Sequence, residues 1–544
     1  MKKTERLKIL LEKGYFPEEL PPPFNTILLA KYRASIIKNF PADTNQYPKT
    51  NNEIYSYPRI KHMRRNLAIP NPISQLHLSK LIADNWVEIC KHLKTSKYSI
   101  DTLEIKSDGP RAISKPDFGL IALRTNEISA NFDHGLVSDI SRFYGTLYTH
   151  AVPWALHTKV WCKRNLNTVP YKSSLGACID KAVRKGQDNQ TIGIPVGPDT
   201  SRIVAEIVGV AIDHHVQNIL HLDRSRAFRH VDDWYIGFDN AGNAEDAIAN
   251  IAAACRTFEL ELNGEKTRTF NASSFVDSVW PTELREYKFQ KKQKGQEKSL
   301  EHFFIKAFHY AKEYPTQNVL NYAVKRTQGL VIFEENWRGY ETFLLKIARS
   351  NMTSIPSVVK ILVSYNNDGY EIDKNRVVKL IEDLIRINGP VAHHAEVAWA
   401  LFLAKALKLS LSEAAANVVS ELESSVCALL ALDLQQNGLF DVPLNTYLWQ
   451  QSMNTNGLVS NMWLLAYEAE FKGWLQGTPR NFLSSHRYFG FLKSKKITFY
   501  DIKKNVTHIR SKKRWSSSTV SFKNSEAISK YFSWGATSSI VELD

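Results

Sequence analysis

The hydrophobic periodicity changes once along the chain, near residue 300, and this constrains the fold more than any other feature. Residues 121–275 alternate short β-rich runs with helix-period runs, whereas from about 300 to 475 the spacing is helical throughout. In that second half Val377, Leu380, Ile381, Leu384 and Ile387 line one helical face, opened by Asp373 as an N-cap and closed by Asn388-Gly389-Pro390. Similar runs occupy 395–408 and 412–434. No strict repeat joins them, which predicts a degenerate stack of helix pairs. The basic stretch KFQKKQKGQEK (288–298) reads as an exposed connector. Residues 1–120 mix short helices with proline-rich turns and carry a basic knot at Arg59, Lys61, Arg64 and Arg65.

Composition narrows the class. A chain of 544 residues, 43% hydrophobic and 23% charged, builds its core without staples and folds as roughly three or four domains. Lysine plus arginine outnumber aspartate plus glutamate 70 to 55, a net +15 that favours a polyanionic partner such as nucleic acid. The 5 cysteines form no C-x-x-C pair, so neither a disulfide framework nor a structural zinc site is encoded, and a reducing compartment is expected. The N-terminus lacks an apolar core segment, and no apolar run approaches the ~18 residues that span a bilayer, which predicts a cytoplasmic protein with no membrane partner.

Three acids stand out by their order. GLVSDI (135–140) reads as a buried strand that delivers Asp139 at its end, and the helical run after it must start afresh or kink at Pro153. GIPVGPDTSR (193–202) is a glycine- and proline-punctuated loop in which Thr200 or Ser201 is placed to cap a following helix. AFRHVDDWYIGF (227–238) reads as a hairpin with Asp232 and Asp233 at its tip. Nucleotidyl transfer needs such a set, because two divalent ions about 3.5–4 Å apart must be held by carboxylates. Hard oxygen ligands suit Mg2+, with Mn2+ as a substitute.

On these residues the chain resembles a reverse transcriptase. GLVSDISRFYG is similar to the family's motif A, GIPVGPDTSR to motif B, RHVDDWYIGF to the Asp-Asp motif C, and LNGEKT to motif D with its lysine. The resemblance implies an α+β architecture: a fingers region over 1–120, a palm over 121–290, and an all-α HEAT-like domain with a basic tail over 300–544. It implies that Asp139, Asp232 and Asp233 ligate the metals, that Lys266 sits near the leaving pyrophosphate as a general acid, and that Tyr144 is a steric gate selecting dNTPs. Arg64 and Arg65 are the candidates for holding the triphosphate. The tail lysines Lys495, Lys496, Lys503, Lys504, Lys512 and Lys513 and Arg514, interleaved with Phe499, Tyr500 and Trp515, are candidates for lining a nucleic-acid strand.

Two departures narrow the resemblance. Motif B of ordinary reverse transcriptases has Gln-Gly where this chain has Val196-Gly197, and a proline after the serine where it has Arg202. Gly197 still lets backbone approach a base or template, and Arg202 adds a phosphate-capable fork. With GYFPEELPPPF and HHAEVAWALFLAKAL, the chain is similar to the bacterial abortive-infection, or defence-associated, reverse transcriptases. That likeness implies phage defence, a homo-oligomer (trimer or hexamer), and DNA made without a conventional template or primer, in some members attached to a protein tyrosine. Tyr15, Tyr32, Tyr47, Tyr55, Tyr57 and Tyr500 are the candidate primers. The alternatives are a template-copying enzyme with a structured noncoding RNA partner, and a catalytically dead nucleic-acid-binding scaffold.

Overall fold

Alternating and helix-period sequences segregate in space as they do along the chain. The computed structural model describes residues 1–41, 44–60, 62–114, 118–271, 278–507 and 509. β1 (Glu53–Pro58) and β2 (Arg64–Ile69) form an antiparallel hairpin. β3 (His134–Asp139), β4 (Ala227–His230), β5 (Asp233–Phe238) and β6 (Arg268–Asn271) form an antiparallel sheet in the order β4-β5-β3-β6. Period-two alternation makes that sheet two-sided. Trp234, Ile236 and Phe238 of β5 enter the main core, while Tyr235 joins Ile121, Ile128 and Phe228 in a smaller cluster on the opposite face. Helix Ala241–Thr257 covers the first face, with helix Asp199–Leu220 packed beside it, and helix Phe118–Asn131 covers the second.

The helical break after Asp139 falls as Pro153 requires: short helices span Phe143–Thr146 and Ala151–His157. Helix Asp199–Leu220 starts differently from the expectation. Its N-cap is Pro198, without a side-chain cap, and Thr200 and Ser201 lie buried in the first turn. The start is fixed instead by Asp199, whose carboxylate accepts from Arg111 at 2.9 Å and from the Ile113 N–H at 3.0 Å.

In the second half the helices pack as successive pairs, and each helix also meets the next but one. Gln293–Glu313, Trp337–Ser350, Lys374–Asn388 and Glu413–Ser420 make one layer, and Val319–Thr327, Ile355–Asn367, His394–Leu407 and Ser425–Gln436 make the other. Asp373 caps its helix as expected, accepting from the Arg376 N–H at 3.1 Å, and Asn388 ends it. Two expectations fail. The stretch 288–298 is not a connector throughout, because its Gln, Lys and Glu residues are strong helix formers and a helix starts at Gln293. The run 412–434 is two helices, broken between Ser420 and Ser425.

The two halves are joined through the β1–β2 hairpin. Arg64 donates to both carboxylate oxygens of Glu396 at 2.6 and 2.8 Å, and His394 Nδ1 meets the Ile54 carbonyl at 2.9 Å. The indole N–H groups of Trp399 and Trp463 donate to the carbonyls of Glu19 and Ile69 at 2.9 and 3.1 Å. Residues 499–501 also lie along the proline-rich N-terminal segment, through Asn25 N–H to the Phe499 carbonyl and Asp501 N–H to the Pro23 carbonyl, both at 2.9 Å. The helix His394–Leu407 is therefore apolar nearly all round, being covered both by its own layer neighbours and by the hairpin. Among the described residues, no helix is long and apolar enough to cross a membrane.

Candidate metal centre

The antiparallel register brings three carboxylates together. Asp139 at the end of β3 is paired directly with Asp233 at the start of β5, and Asp232 lies in the two-residue turn between β4 and β5. One ligand oxygen from each of Asp139, Asp232 and Asp233 lies within 4.8 Å of the others, the one such group of metal-ligating side chains among the described residues. Like charges directly across a strand pair are destabilising. Burial, then Asp139, pushes the Asp232 carboxyl up to about 6, and burial, then Asp232 and Asp139, holds Asp233 well above the usual carboxylate range. Such a site favours a bound cation, which removes both the repulsion and the desolvation cost. A cluster of hard oxygen donors of this kind is suited to a divalent metal ion.

The tip is held by residues other than the three acids. Asp101 accepts from the Val231 N–H at 2.8 Å and from His230 Nδ1 at 3.1 Å, so one carboxylate oxygen clamps the turn that bears Asp232. Val231 there has φ +55°, a strained value for a β-branched residue. Although burial opposes it, His230 and the Val231 N–H hold the Asp101 carboxyl below its usual range. β4 is fastened to helix Asp199–Leu220 by buried Arg229, which donates to Asp213 and Glu206 at 2.7 Å each. Gly209 makes room, since a Cβ at that position would sit 2.9 Å from the guanidinium. Asn263 fixes the third acid: its N–H donates to the Asp139 carbonyl at 2.7 Å and its amide to Asp139 Oδ2 at 3.1 Å. The Asn-Gly turn was the visible signal for Asn263; Asp101, an isolated acid in an irregular segment, gave none.

The other expected site residues divide. Lys266, half-exposed, donates to Asp139 Oδ1 at 3.2 Å and so stands at the triad. Tyr144 lies within electrostatic reach of Arg202 and Asp232, and burial raises its phenol. Arg202 donates to the Ser114 carbonyl at 3.2 Å. Burial, then neighbouring Arg65, lowers the guanidinium of Arg59 on the β1–β2 turn, against the opposing field of Asp232, Asp139 and Asp233. Arg64 does not join them, because Glu396 and Ser56 engage its guanidinium. Gly197 differs as well. At φ +125°, with a would-be Cβ 3.0 Å from Pro17 Cγ and its carbonyl accepting from Arg111 at 2.7 Å, it lies against the chain's own N-terminal segment.

Along the tail, Lys495, Lys496 and Lys503 are exposed and Lys504 is half-buried, whereas Lys512, Lys513, Arg514 and Trp515 lie outside the described residues. Phe499 and Tyr500 are not a stacking surface: both are fully buried, and Tyr500 donates to Asp433 at 2.7 Å. Among the candidate priming tyrosines, Tyr15, Tyr55 and Tyr500 are buried, and Tyr32, Tyr47 and Tyr57 are half-buried.

No family model and no curated protein matches the chain. Among solved structures it is similar to telomerase from Candida albicans in complex with a TWJ fragment of telomeric RNA, at 14% identity and a TM-score of 0.28. The match covers 72% of this chain, which spans 66% of the length of that one.

Proposed function

We propose that the chain is a reverse-transcriptase-like DNA polymerase that adds dNTPs to a growing strand, with Asp139, Asp232 and Asp233 holding Mg2+. The observation that carries this reading is the convergence of those three carboxylates within 4.8 Å at the end of a sheet. Asp139, Asp232 and Asp233 would hold a pair of divalent ions, which would supply activation of the attacking hydroxyl and charge neutralisation at the leaving pyrophosphate. The protein's own groups do the rest. Asn263 fixes the rotamer of Asp139, and the Asp101 clamp fixes the turn carrying Asp232. Arg59 on the hairpin turn and Arg65 on β2 hold the triphosphate. Lys266, already beside Asp139, supplies a proton to the pyrophosphate as it leaves. Tyr144 presents its ring where a ribose 2′-hydroxyl would sit, which selects dNTPs.

DNA synthesis without a conventional template is the finer reading. It is supported by motif B, where Gly197 packs on Pro17 and its carbonyl accepts from Arg111, so that this glycine lies against the chain's own N-terminal segment. Tyr32, Tyr47 and Tyr57 retain some exposure and are the better protein primers of the set. The role in phage defence and the oligomeric state rest on the family resemblance. The test is incorporation of labelled dNTPs by the purified chain with Mg2+, with and without added RNA. Template-free incorporation into a protein-linked product supports the reading. Incorporation only with RNA indicates a copying enzyme, and no incorporation indicates a scaffold. An Asp232→Ala/Asp233→Ala chain that still incorporates dNTPs removes the polymerase reading altogether.

A further inference from the structure

We infer that the open groove between the segment 148–172 and the turn at Glu259 is a binding surface for single-stranded DNA. The groove measures about 450 Å³ and is lined by Tyr148, Trp154, Lys159, Lys163, Ile192 and Glu259. Its floor is tied to the segments that build the metal centre. Tyr148 bridges Ile192, and the N–H groups of Thr149, Gly193 and Ile194 donate to the carbonyls of Thr191, Leu147 and Tyr144 at 2.8, 2.9 and 2.8 Å. On the other wall, Glu259 shortly precedes Asn263, which holds Asp139.

Charge points to a polyanion. No aspartate or glutamate occurs from residue 140 to residue 179, a stretch that carries Arg142, Lys159, Lys163, Arg164 and Lys172. Lys159 is engaged, donating to Glu259 at 2.8 Å and to the Thr257 carbonyl at 3.1 Å, so it offsets the one acid that lines the groove. Lys163, Arg164 and Lys172 are exposed, and among the described residues their side chains make neither a hydrogen bond nor an ion pair. Phosphate oxygens supply the partners such cations lack.

Half-buried rings stand among these cations. Trp161 lies 5.3 Å from His157 and 6.3 Å from Tyr171, and Trp154 lies 5.5 Å from Tyr148, centre to centre. Thr158, at φ +67°, turns the chain between helices Ala151–His157 and Lys159–Arg164, and its hydroxyl accepts from the Trp161 N–H at 3.3 Å, which fixes the backbone that carries the indole. Val160, Leu166, Val169 and Ile192 add exposed apolar surface. Cations interleaved with rings suit an unpaired strand, whose phosphates meet the cations while its bases stack, whereas a duplex hides its base faces. DNA rather than RNA is the expected strand because it is the product of the proposed reaction, and to that extent the inference rests on the polymerase reading.

The test is fluorescence anisotropy of a labelled oligo-dT of about 16 nucleotides with the full chain, in EDTA and over a series of salt concentrations. Lys163→Ala/Arg164→Ala/Lys172→Ala, confined to exposed side chains, should weaken binding at least tenfold and flatten the dependence of log affinity on log salt by about 2, the loss expected for three phosphate contacts on a single strand. Trp161→Ala should weaken it about tenfold, and Trp161→Phe, which keeps a ring, should restore most of that. Lys292→Ala/Lys294→Ala/Lys298→Ala removes the same charge from exposed positions elsewhere and should have little effect. Undiminished binding by the first triple variant, an equal loss in the second, or tighter binding of oligo-rU than of oligo-dT overturns the inference. Because EDTA removes any metal, this binding is read apart from catalysis: absent dNTP incorporation removes the polymerase reading alone, and unchanged oligo-dT binding removes this surface alone.

Discussion

At the scale of single residues, the acids that define the site depend on others that do no chemistry. Asp101 exemplifies this, because one of its oxygens accepts from both the Val231 N–H and His230. Asp101→Ala is expected to lower dNTP incorporation by about 100-fold, the order of loss that a misplacement near 1 Å produces. Asp101→Asn, whose amide oxygen still accepts from Val231, should keep most of the activity, and steady-state incorporation rates compare the two. The triad itself was legible in the sequence, because strand ends and hairpin tips are written in local alternation and turn residues. Asp101 was not, since nothing near it in the chain announces a partner lying 130 residues away. Arg64 was misread for the same reason: its proximity to Arg59 and Arg65 was visible, and its distant partner Glu396 was not.

At the scale of elements, the β1–β2 hairpin is the piece both halves share, and its docking is pH-sensitive through Glu53. Burial raises that carboxyl from 4.5 to about 7, against the hydrogen bonds from Ser425, Val426 and Ser424. Between about pH 4.5 and 7 the folded chain therefore keeps a proton that the unfolded chain has released. Its contribution to stability is fully present below the unfolded value and is lost as pH rises through the folded one. Glu53→Gln should accordingly flatten this part of the stability–pH curve. Above pH 8 it should unfold at higher denaturant than the parent, by on the order of 2–3 kcal/mol. Buried Glu19, also raised to about 7, leaves a residual slope of the same sign. The strands of this hairpin were not specified by sequence, where proline-rich turns and the basic knot masked the alternation. The helix Lys374–Asn388 was specified with its cap and stop, but Ile387, expected on the apolar face, is exposed, and Ile385 is buried in its stead.

At the scale of the whole molecule, the helical half is fastened to the β1–β2 hairpin rather than merely following it in the chain. The Arg64–Glu396 pair, with side-chain exposures of 18% and 0%, carries much of that join. Removing one partner leaves the other buried, so Arg64→Met should cost about 3 kcal/mol in chemical denaturation. Arg64→Met/Glu396→Leu should recover a large part of it, because an apolar pair replaces an unpaired charge. Such long-range pairing leaves no trace in local periodicity, so the two-layer stack was readable and its seat was not. The central claim of the account is that Asp139, Asp232 and Asp233 act together as one divalent-cation site. Mn2+ titration followed by electron paramagnetic resonance tests this most directly, on the parent chain and on Asp232→Asn/Asp233→Asn, with Mg2+ as competitor. The account predicts saturable Mn2+ binding that Mg2+ displaces and that the variant loses by at least tenfold; Mn2+ binding of equal affinity in both proteins contradicts it.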